Sequence, residues 1–115
     1  MKININNDLG SIPISITSDY SCKLSIIKKN NRIIMNGYIH VQGDVAPNVE
    51  VTLGTIEQSA RPQKDLVIFI GELAHDAITT TVALGSLTQN GEIKVRNIFE
   101  NFYARYFYFD MVWDV

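Results

Sequence analysis

The closing segment Tyr103-Ala104-Arg105-Tyr106-Phe107-Tyr108-Phe109-Asp110-Met111-Val112-Trp113 alternates with a period of two, which an amphipathic helix cannot use. Successive side chains of an extended strand point to opposite sides. Phe107, Phe109, Met111 and Trp113 therefore share one face, and Tyr106, Tyr108 and Asp110 share the other. The same period returns along the chain. Ile12, Ile14 and Ile16 alternate with Pro13, Ser15 and Thr17; Val49, Val51 and Leu53 with Glu50, Thr52 and Gly54; Ile93 and Val95 with Glu92, Lys94 and Arg96. Isoleucine and valine dominate the aliphatic residues, and their branched side chains sit well on a pleated surface.

Turn residues fall between these runs. Asn30-Asn31 separates Lys23–Lys29 from Arg32–Gln42, and asparagine tolerates the left-handed conformation of a tight hairpin. Asn90-Gly91 separates Val82–Gln89 from Glu92–Ile98 and predicts a type I′ turn with positive φ at both residues. Loops are expected over 43–48 and 60–65, each with a proline that cannot donate to a central ladder, and over 74–77. The spacing predicts about eight strands, near 11–17, 22–29, 32–42, 48–56, 65–73, 78–89, 92–98 and 104–113. Within Asn97–Arg105, Ile98, Phe99, Phe102 and Tyr103 fit one helical turn as an alternative. Short, evenly spaced strands argue for an antiparallel β-sandwich or barrel, jelly-roll-like, in an all-β protein. Its 115 residues, 46% hydrophobic and 19% charged, suit one domain over 1–115 with a packed core.

Several function classes find no support. A net charge of −2 gives no basic face for nucleic acid; the cluster Lys28-Lys29 with Arg32 reads as a solvated hairpin tip. No apolar run has the length of a signal peptide or a membrane helix. Cys22 stands alone, so no intrachain disulfide forms and no multi-thiolate zinc cage exists. The glycines are scattered rather than gathered into a phosphate-cradling loop. His40 and His75 have no ligand partner at helical or strand spacing, which leaves only a tertiary metal site with Asp44 or Asp76 as a weak alternative. No nucleophile elbow appears, and Glu50, Glu57, Glu72, Asp76, Glu92, Glu100 and Asp110 read as solvated strand faces more than as paired catalytic acids. The chain reads as a binding or assembly protein, not an enzyme, with no cofactor and no metal.

Two polar-aromatic stripes are the candidate ligand-binding surfaces. Tyr106, Tyr108 and Asp110 form one; Tyr38 and His40, with Gln42, form the other, opposite Ile39 and Val41. A tyrosine ring stacks on apolar surfaces while its hydroxyl keeps a hydrogen bond, which suits interfaces. Cross-strand aromatic packing explains the first stripe equally well, and a solvated sheet face explains the second at least as well.

The order of these elements resembles the head domains of tailed-phage receptor-binding and baseplate proteins of the Gram-positive siphophage type. The hairpin Lys23–Ile39 looks like the opening hairpin of such heads. Val51-Thr52-Leu53-Gly54-Thr55-Ile56 and then Ala60-Arg61-Pro62 are similar to their glycine-threonine and arginine-proline signature. Gly85-Ser86-Leu87-Thr88-Gln89-Asn90-Gly91-Glu92-Ile93-Lys94-Val95 resembles their asparagine-glycine hairpin, followed by an aromatic last strand. The resemblance spans about 22–113, with 1–21 as a short extension. Glu57 stands where the signature has proline, and an extension of this length is expected to hold no stem. What the resemblance implies is a virion structural protein in the phage tail, made in the bacterial cytoplasm. It further implies a homotrimer, other tail or baseplate proteins as partners, and a host-wall saccharide as ligand. A stand-alone carbohydrate-binding protein and, more remotely, a small hydrolase are the alternatives.

Overall fold

A computed structural model of the chain describes residues 10–45, 49–74, 80–96 and 102–115. They form an almost wholly β structure, in which the strands are β1 (Ser11–Pro13), β2 (Ile16–Thr17), β3 (Ser21–Lys29), β4 (Arg32–Val45), β5 (Glu50–Ile56), β6 (Leu66–Ala74), β7 (Thr80–Leu87), β8 (Glu92–Arg96) and β9 (Phe102–Asp114). A 3-10 turn, Gln58–Ala60, follows β5. All strand pairs are antiparallel, in the order β1-β3-β4-β9-β6-β7-β8-β5-β2.

The two edge strands are consecutive in the chain, which ties the two edges of the curled sheet together. β1 pairs with β3, and two residues later β2 pairs with β5. Between them the Ile14 N–H donates to the Ile26 carbonyl at 2.9 Å, and the Glu57 N–H donates to the Ser15 carbonyl at 3.1 Å. The expected strand 11–17 is thus two short strands with different partners, which raises the count to nine. Its three isoleucines do not share one buried face either: Ile14 is buried, while Ile12 is 57% exposed. A segment that changes partner strand cannot keep one face toward one core.

Inside the barrel, alternate residues make the core. Ile33, Met35, Ile39 and Val41 of β4 meet Leu53 and Ile56 of β5, Ile68 and Ile70 of β6, Leu87 of β7, Ile93 and Val95 of β8, and Phe107, Phe109 and Trp113 of β9. Each such side chain contributes about 1.5–3 kcal/mol by leaving water. Trp113 closes one end, where its Nε1–H donates to the buried Ala60 carbonyl at 2.8 Å.

Both hairpins form where expected, but with different turns. Asn30 takes φ 58°, and Lys29 pairs with Arg32 across the two-residue loop. At the second hairpin only Gly91 is left-handed, with φ 82°. The Gly91 N–H donates to the Thr88 carbonyl and the Thr88 N–H to the Glu92 carbonyl. This is a type I turn followed by a glycine bulge, not a type I′ turn, because Asn90 stays out of the left-handed region. Elsewhere β4 runs on to Val45, into the expected loop 43–48, whose residues 46–48 lie outside the described residues. Ala74 ends β6, and 75–77 of the third expected loop lie outside the description. Phe102 and Tyr103 belong to β9, so the helical alternative fails there, and Ile98 and Phe99 lie outside the described residues.

Candidate functional site

Strand register gathers the two predicted stripes into one surface. β4 and β9 are neighbours with Tyr38 opposite Tyr108, His40 opposite Tyr106, and Asn36 opposite Asp110. All point away from the core, since Ile39, Phe107 and Phe109 between them are buried. β3 continues the rows with Lys23 opposite Tyr38 and Ser25 opposite Asn36. On the other side, β6 places Gly71 opposite Tyr108.

The rings form a connected cluster. His40 and Tyr106 stack with centroids 4.2 Å apart and planes within 5°. Tyr38 meets Tyr106 edge-on, at 5.4 Å and 75°, and lies tilted against Tyr108, also at 5.4 Å. The His40 Nε2 is buried with no hydrogen-bond partner among the described residues. Its ring is thus held by stacking on that side. Tyr106 gives one face to His40, whereas Tyr108 is 40% exposed. Asp110 and Asn36 are exposed beside this cluster, with no ion pair or hydrogen bond among the described residues. The five predicted residues Tyr38, His40, Tyr106, Tyr108 and Asp110 therefore lie on one continuous patch. Chemically it offers π-faces flanked by one carboxylate and one amide. Gln42 lies on the same face of β4 and is exposed.

The sequence does not reveal the apolar neighbour of this patch. Phe69 is 75% exposed and Val67 73%, and Phe69 pairs across β6–β7 with Leu84, itself 52% exposed. They sit within the uninterrupted run Leu66-Val67-Ile68-Phe69-Ile70, where no polar residue marks the outward side.

Three of the other candidate carboxylates, Glu50, Glu57 and Glu92, have structural partners, while the side chains of Glu72, Asp76 and Glu100 lie outside the described residues. Glu50 and Glu92 both approach the Lys94 Nζ at 3.7 Å, so the two acids converge on a cation. Glu57 accepts from the Ser15 N–H at 2.7 Å and from the Ser59 hydroxyl at 2.8 Å. Chiefly through the Ser15 N–H, and next through Ser59, its carboxyl is held below the usual range. It fastens the 3-10 turn to the segment that closes the barrel. His75, Asp44 and Asp76 of the alternative metal set lie outside the residues whose side chains are described; among the described residues no group of three or more potential ligands gathers.

No family model matches this sequence, and no curated protein matches it. Among solved structures, the head domain of phage bIL170, treated with the receptor-binding domains of lactococcal phages, superposes with a TM-score of 0.67. The match covers 90% of this chain and 98% of that one, at 22% identity. This chain has the fold of the phage bIL170 head domain.

Proposed function

We propose that the protein is a phage or prophage virion component, a tail or baseplate module that contacts a saccharide of the host wall through the Tyr38/His40/Tyr106/Tyr108/Asp110 face. The observation that carries this reading is the combination of a phage-head fold with an aromatic patch that the strand register assembles from β4 and β9. Sugar rings present apolar C–H faces to aromatic side chains, and their hydroxyls suit carboxylates and amides such as Asp110 and Asn36. Binding without chemistry also agrees with Glu50 and Glu92 being paired to Lys94.

The homotrimer is part of the same reading. Val67 and Val112 leave exposed apolar surface of the kind that marks contact surfaces, and a closed threefold assembly would cover it. Light scattering of the purified chain is expected to give the mass of three copies; a strict monomer at micromolar concentration contradicts the trimer.

Mass spectrometry and immunogold labelling of purified virions test the location. The protein is expected at the tail tip. Its absence from virions, with wall binding retained, favours a stand-alone carbohydrate-binding protein built on the same aromatic patch.

A further inference from the structure

Of the glycines within strands whose surroundings are described, each has a steric reason except Gly71. Gly37 and Gly91 have φ of 122° and 82°, which side chains rarely adopt. Gly54 and Gly85 have ordinary backbones, but a Cβ on either would press on its neighbours, the Ile16 side chain in one case and the Lys94 carbonyl in the other. Gly71 has neither reason. Its φ is ordinary, and among the described residues a Cβ there would meet only Tyr108, at an ordinary 3.5 Å. A glycine inside a strand weakens it, so a side chain would be tolerated and even favoured on local grounds.

Its place in the sheet shows what the missing side chain leaves open. Gly71 opposite Tyr108 is the last ladder pair before β6 and β9 part, for pairing runs from there only toward Ala74 and Arg105. The outward neighbour of Gly71 on its own strand is Phe69, 75% exposed. Tyr108, facing it from β9, is the tyrosine of the cluster classed as exposed, since Tyr106 is covered by His40. A floor without a side chain thus lies between two exposed aromatic rings at the fork of two strands. Beyond this pair the two strands diverge, so Phe69 and Tyr108 flank the gap that opens there, while on its other side Gly71 pairs with Val82 of β7. Asp110, next outward on β9 from Tyr108, and Asn36 across from it bring free hydrogen-bonding groups to the rim.

We propose that the notch over Gly71 is the ligand subsite of the aromatic face, and that its occupant is a pyranose ring laid against Tyr108 with its hydroxyls toward Asp110 and Asn36. The inference rests on the saccharide reading above and goes beyond it by naming the ring that binds and the residue whose lack of a side chain makes room. Tyr38 and Tyr106, which lie tilted against the Tyr108 ring, are then positioning residues, with His40 stacked on Tyr106.

The test is a titration of the ¹⁵N-labelled full chain with a set of methyl pyranosides (glucoside, galactoside, N-acetylglucosaminide and rhamnoside), alongside Gly71→Val, Gly71→Ala and Tyr108→Ala. Shift changes are expected at Gly71, Phe69, Tyr108 and Asp110 with at least one glycoside. Gly71→Val should keep the amide spectrum and thermal midpoint of a folded protein and bind about tenfold more weakly. Gly71→Ala, the smaller change, serves in its place if the valine variant does not fold. If the folded Gly71 variants bind like wild type while Tyr108→Ala does not, the notch is wrong and the aromatic face stands. If Tyr108→Ala also binds like wild type, the face itself is not the binding surface. If folded wild type shifts with none of the glycosides, the pyranose occupant is overturned together with the saccharide reading.

Discussion

His40 lies flat on Tyr106, with ring centroids 4.2 Å apart and planes within 5°. The two residues come from β4 and β9 and face each other directly in the ladder. Their contact lies beside the more exposed Tyr108, whose ring centroid is 6.3 Å from that of Tyr106, so it helps fix how the outer face is presented. A double-mutant cycle of His40→Ala and Tyr106→Ala is expected to give a coupling of about 0.5–1.5 kcal/mol in urea unfolding. Additive effects would mean that the stack contributes nothing beyond the area it buries.

On the inner face, Trp113 has a different duty. Its indole fills the end of the barrel, and its N–H satisfies the Ala60 carbonyl. Trp113→Phe keeps most of the apolar volume but leaves that buried acceptor without its partner, at a cost of about 1–3 kcal/mol. Chemical denaturation of the two proteins measures this loss. A cost near zero would indicate that another donor or water reaches Ala60.

Two glycines should respond in opposite directions to the same substitution. Gly91 is left-handed, and a Cβ there would stand 2.6 Å from the Ile56 carbonyl oxygen. Gly91→Ala is therefore expected to destabilise by about 1–2 kcal/mol or more. Gly71→Ala meets no such obstacle and is expected to stabilise by about 0.4–1 kcal/mol, mainly by restricting the unfolded chain. Thermal unfolding of both variants checks the contrast; equal destabilisation would show that Gly71 has a packing reason of its own.

Glu57 should make closure of the barrel sensitive to acid. Hydrogen bonds from the Ser15 N–H and the Ser59 hydroxyl, in that order, lower its pKa in the folded state. A depressed carboxyl contributes stability that is complete above its unfolded value of about 4.3 and is lost as pH falls through the lower folded value. Glu57→Gln is expected to be less stable than wild type at neutral pH, with the difference shrinking in acid. Melting curves between pH 7 and roughly pH 3 read it directly. A difference that stays constant across this range would separate the latch from the charge of Glu57.

Much of this architecture was legible because its signals are local. The period of two in Phe107, Phe109 and Trp113 placed them inside, and they are buried. The Asn30-Asn31 and Asn90-Gly91 turns marked two hairpins that exist, although the second uses a bulge because only Gly91 needs positive φ. What escaped was set by partners distant in sequence. The division of 11–17 depends on both β3 and β5, and no residue within the segment announces two partners. The stripes of Tyr38 and Tyr108 were visible separately, but only register joins them. The outward position of Phe69 was hidden in an apolar run whose two faces look alike. Gly71 gave no sign at all, because the meaning of a missing side chain lies in what stands around it.

The proposed contact with a wall saccharide runs through the outer aromatic face. Co-sedimentation of the purified chain with walls of Gram-positive bacteria, before and after the wall polysaccharide is stripped, tests it most directly, with Tyr108→Ala beside wild type. Saturable binding by wild type, lost with the polysaccharide and weakened by about tenfold or more in folded Tyr108→Ala, is the predicted result. Binding that survives both the stripping and the substitution, or no binding to the walls by folded wild type, would contradict the account.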